Sequence, residues 1–216
     1  MRRPLSRDPH RTLVTHSAAA HRAIDRLFAA LARGARHGDV ARRVLDDGIA
    51  AGATMLRAHH DLEEEVILPL LRSKGADGPW DTIATEHEAL TGALEGAITA
   101  RGGRAELLEA LHALVVPHME GEEEVLTESY WRELLSADEA RAFGKDIAAH
   151  SKAHLTPATK MLPLVLYNLD PEERAAFTEP MPGFLVNGLV PYAFRAAWRP
   201  LRPFMAYPPR RLSPLP

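Results

Sequence analysis

One nine-residue pattern occurs twice in this chain, and it limits what the chain can fold into more than any other feature. Residues 59–67 read His-His-Asp-Leu-Glu-Glu-Glu-Val-Ile, and residues 118–126 read His-Met-Glu-Gly-Glu-Glu-Glu-Val-Leu. A histidine and a glutamate four residues apart lie on one face of a helix, one turn apart. At about 100° per residue, His59 and Glu63 fall in the sector of Leu45, Ile49, Leu56 and Leu70, while Glu64 points about 100° away from its centre. In the second copy His118 and Glu122 share the sector of Leu108, Leu111 and Val115, and Glu123 and Glu124 rotate toward solvent. Both copies therefore aim one imidazole and one carboxylate at the interior. Buried carboxylates that face one another repel or protonate unless cations compensate them, and metal ions are the economical compensation.

The apolar periodicity around these motifs is helical throughout. Leu13, Ile24, Leu27, Phe28 and Leu31 mark a first helix over 11–36, closed by Gly34 to Gly38. A long second helix runs from an Asp39 N-cap to the Lys74-Gly75 break. A third spans Trp80 to Gly102-Gly103, and a fourth runs from Arg104 to about Leu135. Short glycine-containing connections make this an all-α, up-and-down four-helix bundle over 1–135, with consecutive helices antiparallel around one core. Pro117 removes a hydrogen bond just before His118, which predicts a kink in the fourth helix at that level.

Residues 136–216 read as an accessory helical segment. Ser136 to Glu139 has the capping-box pattern, and Thr156-Pro157 and Asp170-Pro171 each look like an N-cap followed by proline at the first helical position. From Met181 onward eight prolines and six of the thirteen aromatics accumulate, suggesting a helix over 184–198 and then an extended end. Arg195, Arg199, Arg202, Arg210 and Arg211 give this arm a positive charge with no acid, so it either packs across the bundle or meets an anionic surface or partner groove.

Composition narrows the chemistry. The 216 residues include 11 histidines and no cysteine, which removes disulfides, thiolate metal sites and a cysteine nucleophile. The net charge of -3 offers no field for a phosphate backbone, so nucleic acid is not an expected partner. No uncharged run has the length of a membrane span, and the first residues lack the apolar stretch of a signal peptide, which predicts a cytoplasmic protein. No His-Glu-x-x-His, phosphate-loop or Gly-x-Ser-x-Gly pattern points to hydrolysis or nucleotide chemistry.

His87 shares a helical face with Ile83, Leu94 and Ile98 and lies level with His118 across the Gly102-Gly103 turn. The first helix has two candidates. His21 is followed by apolar residues at the same spacings as His87, whereas counting back from the Arg36-Gly38 turn puts His16 level with His59. His60 lies at the edge of the apolar sector. His150 and His154 form an i, i+4 pair without a matched carboxylate, which reads as packing or surface, and His112 reads as a flank residue. Glu109 and His112 make a single Glu-x-x-His pair, one fewer than a ferritin-like bundle needs.

Taken together, His21, His59 with Glu63, Glu86-His87, and His118 with Glu122, followed by Pro69 after the first glutamate run, resemble the hemerythrin-like, or HHE cation-binding, family over about residues 10–130. The resemblance implies a non-haem di-iron centre with His21, His59, His87 and His118 as terminal ligands and Glu63 and Glu122 bridging, its open position taking dioxygen or a related small molecule. Where hemerythrins carry a further histidine on the third helix this chain has Thr91, which leaves His60, His16 and His37 as candidates for a fifth imidazole. Imidazole and carboxylate suit iron, manganese or zinc equally, so iron follows from the resemblance alone. Two divalent ions with four neutral imidazoles and two glutamates leave a charge of +2, which favours an oxo or hydroxo bridge. The expected function is binding or sensing of dioxygen. The alternatives are a di-iron enzyme acting on peroxide or nitric oxide, and a metal-storage or partner-binding module.

Overall fold

The computed structural model describes residues 8–208, and among them every regular element is helical. Helix α1 (Pro9–His37) starts where the Asp8 side chain accepts from the His10 amide, with Pro9 at the first helical position. It ends at Gly38, whose φ of 66° closes the C-terminus in the left-handed conformation that glycine adopts without penalty. Helix α2 (Arg42–Leu62) passes into a single π-helical turn (Glu63–Ile67) and then α3 (Leu68–Ser73). Helices α4 (Trp80–Thr99) and α5 (Arg104–Val125) complete the bundle, in which α1 packs on α2 and α5, and α4 packs on α2 and α5.

The π turn has an identifiable cause. Pro69 lacks an amide hydrogen, and its ring crowds the carbonyl four residues earlier, so the helix widens just before it. The Leu68 amide accordingly bonds back to Glu63 O, five residues away. Pro117, by contrast, is carried inside α5 as one uninterrupted helix from Arg104 to Val125.

Four boundaries differ from expectation. The second helix is capped by Ala41 and makes no side-chain cap; Asp39 lies in the connection, because Val40 turns inward to pack beside Gly34. The fourth helix stops at Val125, where Thr127 caps a separate α6 (Glu128–Leu134). Pro157, and not Thr156, is the N-cap of α8 (Ala158–Leu166). After a π-type helix (Leu185–Ala193) and the short α10 (Arg195–Trp198), residues Arg199–Phe204 form a 3-10 helix instead of an extended strand, since Pro200 and Pro203 hold φ in a range that a 3-10 turn accepts.

The two capping boxes appear as expected, at Ser136 with Glu139 for α7 (Ala137–His154) and at Asp170 with Glu173 for α9 (Pro171–Thr178). Helix α7 lies across α1 and α2. The C-terminal arm folds back onto the bundle, burying Trp198, Leu201, Phe204 and Met205 in the same cluster as Phe28, Leu31 and Ile49. Gly48 makes room for it: a Cβ there would stand 2.4 Å from Phe204 Cε2. Buried Asn168 ties the arm down, donating to Leu164 O at 3.0 Å and Phe204 O at 3.1 Å and accepting from the Ala206 amide at 3.0 Å. Residues 1–7 and Arg210 and Arg211, on which part of the leader and arm expectations rest, lie outside the described residues. No helix among the described residues is long and apolar enough to cross a membrane.

The core comes in two pieces. One apolar cluster gathers α1 from Ala19 onward, α2 to Leu56, α4 from Leu90 and most of α5 together with the C-terminal arm. The other gathers Leu13, Ile67, Leu68, Leu71, Trp80 and Ile83 with Trp131 and Phe143. Between them, along α2 and α4, lies a layer of buried histidines and glutamates.

Candidate metal centre

Helices α1, α2, α4 and α5 each deliver side chains to this layer. His21, His59, His60, Glu63, His87, His118 and Glu122 are all buried, none more than 8% exposed. Such a concentration of polar groups away from water demands partners. The protein does not supply enough of them: His59 Nε2, His60 Nε2, Glu63 Oε2, His87 Nε2, His118 Nε2 and Glu122 Oε2 are buried without a hydrogen bond.

The two carboxylates organise the layer into halves. Glu63 Oε1 lies 3.3 Å from His59 Nε2, and Glu63 Oε2 lies 3.2 Å from His87 Nε2. Glu122 Oε2 lies 3.4 Å from His21 Nε2 and 3.8 Å from His59 Nε2, while Oε1 lies 3.3 Å from His118 Nε2 and 3.8 Å from His87 Nε2. Ligands about 2.0–2.1 Å from a tetrahedral ion stand roughly 3.3 Å apart, so these spacings suit atoms that share a cation. His21, His59, Glu63 and Glu122 form one donor group, and Glu63, His87, His118 and Glu122 form the other. Each carboxylate offers one oxygen to each half.

His60 joins the second half. Its ligand nitrogen groups with those of His87 and His118, and its ring stacks on His87 with centroids 4.2 Å apart. Its position at the edge of the apolar sector left it one of three candidates, because phase alone cannot say which side of that edge is covered by α4. Of the other fifth-imidazole candidates, His16 packs its ring 5.2 Å from Phe177 and His37 is exposed at the end of α1; neither belongs to a donor group of the central layer. Thr91 is exposed. His112 pairs with Asp25 at 2.7 Å and Glu109 with Arg36, so the single Glu-x-x-His pair stays outside the layer.

Burial and charge act in opposite directions on these groups. Burial, reinforced by His59, His87 and His118, drives the His60 imidazolium down to about 2. Burial also raises the Glu63 carboxyl to about 7, against the pull of His59. Burial would lower His87 as well, but contacts with Glu122, Glu63 and Glu64 outweigh it and push the ring up to about 10. For Glu122, burial is overcome by His59 and His87, which hold its carboxyl well below the usual range. The layer thus favours charge balance by cations, with protons standing in for them.

A second ring of carboxylates orients the imidazoles. His21 Nδ1–H donates to Glu123 Oε1 at 2.9 Å, His87 Nδ1–H to Glu64 Oε1 at 3.0 Å, and His118 Nδ1–H to Glu86 Oε2 at 2.8 Å. Arg22 braces Glu123 by donating from both terminal guanidinium nitrogens. Holding the proton on Nδ1 leaves Nε2 free to ligate and raises its basicity. Sequence periodicity put Glu64 about 100° off the apolar centre and turned Glu123 toward solvent. A π turn rotates less per residue than an α turn, so the one beginning at Glu63 keeps Glu64 nearer to α4 than helical phase predicts. The signal that would have found both residues is the repeat itself, which preserves a second glutamate in each copy.

The model of the Hemerythrin HHE cation binding domain matches residues 12–128, more than half of the chain and all of the central layer. Compared with curated proteins and with solved structures, the chain has no match.

Proposed function

The chain belongs to the hemerythrin HHE cation-binding domain family, and from that premise we propose that its central layer holds two non-haem iron ions and binds or senses dioxygen. The observation that carries this reading is the uneven division of imidazoles: His21 and His59 serve one half, while His60, His87 and His118 crowd the other. When bound, an iron pair bridged by an oxo or hydroxo group supplies two one-electron reductants and an open coordination position for a small ligand. His21 and His59 would hold one ion with fewer imidazoles than His60, His87 and His118 would give the other, leaving room for a small ligand in that half.

The protein's own contribution is positional. Glu63 and Glu122 span the two halves, and Glu64, Glu86 and Glu123 hold three imidazoles in the ligating tautomer. Leu56, Leu90 and Met119 close the layer from one side and Ile67 and Ile83 from the other, so water is kept from whatever binds there. On this reading residues 1–135 are the metal-binding domain and 136–216 an accessory cover that shares its core.

The test is elemental analysis joined to optical spectra in air, after reduction and after re-oxygenation. Two irons per chain, charge-transfer bands lost on reduction and an oxygen adduct that forms reversibly are the expected results. Multiple turnover of peroxide or nitric oxide would replace binding by catalysis, and failure to take up iron from a ferrous solution would overturn the reading.

A further inference from the structure

A second group of metal-type donors lies outside the central layer, on the outer side of the same helical turn. Helix α7 presents His150 and His154 one turn apart, with ring centroids 3.9 Å apart and planes 13° from parallel. Asp61, at the end of α2, and Glu65, in the π turn, face them. His150 Nε2 lies 3.1 Å from Glu65 Oε2, and His154 Nδ1 lies 3.4 Å from Asp61 Oδ2. The ligand atoms of Glu65, His150 and His154 all fall within 4.8 Å of one another. The His150 side chain is only 8% exposed, and its Nδ1 is buried without a hydrogen-bond partner.

Two observations point to a cation. Carboxylates four residues apart on one helix repel, and a cation held between them and the two imidazoles offsets that repulsion. A buried ring nitrogen that meets no protein donor or acceptor is costly, and only a cation coordinated at that nitrogen itself removes the deficit. Two imidazoles and a carboxylate are a donor set of the kind that binds zinc and its neighbours. Glu65 is exposed and His154 only partly buried, so neither side chain is locked in place by packing.

We propose that His150, His154 and Glu65, with Asp61 beside them, form a separate site for one divalent transition-metal ion of the zinc type. An ion held there clamps α7 to the turn that carries Glu63 and Glu64. The site does not depend on which metal the central layer holds.

The full chain, first loaded with iron, is incubated with zinc chloride, desalted and analysed for both metals. The wild type is expected to retain one ion per chain more than the H150A/H154A variant, and Glu65→Gln to bind zinc at least tenfold more weakly. The iron spectrum should be the same in all three. Should zinc displace iron from the centre, the difference of one ion between wild type and variant still reads out the outer site. An anomalous-scattering peak for zinc between α7 and the π turn supports the assignment. Equal total metal in wild type and double variant, or a zinc peak elsewhere only, overturns it. If the double variant does not fold, Glu65→Gln and the position of the peak decide.

Discussion

Glu64 and Glu123 occupy the same place in the two copies of the repeat, and each holds the Nδ1 of a histidine from another helix, His87 at 3.0 Å and His21 at 2.9 Å. The first glutamate of each copy reaches the centre, and the second braces an imidazole that belongs to neither copy. The repeat therefore supplies two concentric sets of carboxylates.

From this it follows that Glu64→Ala and Glu123→Ala should each weaken metal binding about 10- to 100-fold, the usual cost of removing such a brace, without abolishing it. Iron retained during dialysis against a graded series of chelator concentrations measures the loss. Wild-type retention in both variants would remove these carboxylates from the metal-holding machinery.

Removing a bridging group should differ in kind from removing a terminal one. Glu63 and Glu122 each direct one oxygen to each half, so on the proposed di-iron reading Glu63→Ala is expected to lower iron from about two per chain to well below one. His21 serves one half, and His21→Ala should leave the other ion in place. Elemental analysis of the two variants side by side is decisive, and identical losses would argue against the shared carboxylates.

Much of this site could be read from the chain alone. Burial of His59, Glu63, His87, His118 and Glu122 followed from helical phase, because α2, α4 and α5 are long enough for phase to accumulate. The choice between His16 and His21 turned on where the turn between the helices lies. With α1 ending at His37 and α2 starting at Arg42, a symmetric count sets His59 level with residue 20, beside His21, whereas counting from an Arg36-Gly38 turn had set it level with His16. His60 stayed one of three candidates for a fifth imidazole, and Glu64 escaped, for a different reason: their surroundings depend on a neighbouring helix and on a widened turn caused by a proline five residues beyond Glu64. Tertiary contact decided both, and periodicity carries no trace of it.

The arm should prove to be structural. Gly48→Ala would drive a methyl into Phe204, and overpacking of this kind costs about 1–3 kcal/mol. Asn168→Leu leaves Phe204 O and the Ala206 amide without their partner, also at a cost of about 1–3 kcal/mol. Denaturant unfolding of both variants checks these values, and unchanged midpoints would mean that the arm is not anchored as described.

Acid should loosen α7 early. Hydrogen bonds from Lys74, at 2.6 Å, and from the Ser136 hydroxyl and amide lower the Glu139 carboxyl from 4.5 to about 2. A depressed carboxyl favours the folded state at pH values above its unfolded value, and the contribution fades as the pH falls from about 4.5 toward about 2. Following the Glu139 carboxyl by NMR between pH 6 and 2 tests the shift. In Glu139→Gln this part of the acid dependence should vanish, and a titration midpoint near the ordinary value would refute it.

The three brace carboxylates differ from the rings they hold in one respect. The side chains of His87 and His118 are 2% exposed, yet those of Glu64 and Glu86 are 51% and 46% exposed. Each pair is a short electrical lead from bulk water to a nitrogen in the dry interior. Protons shed when a cation binds can leave along these leads without any opening of the bundle, and a charge placed on the surface beside Glu64 or Glu86 alters the donor strength of a buried imidazole. The imidazoles of the centre are buried, and the carboxylates that hold them reach the solvent.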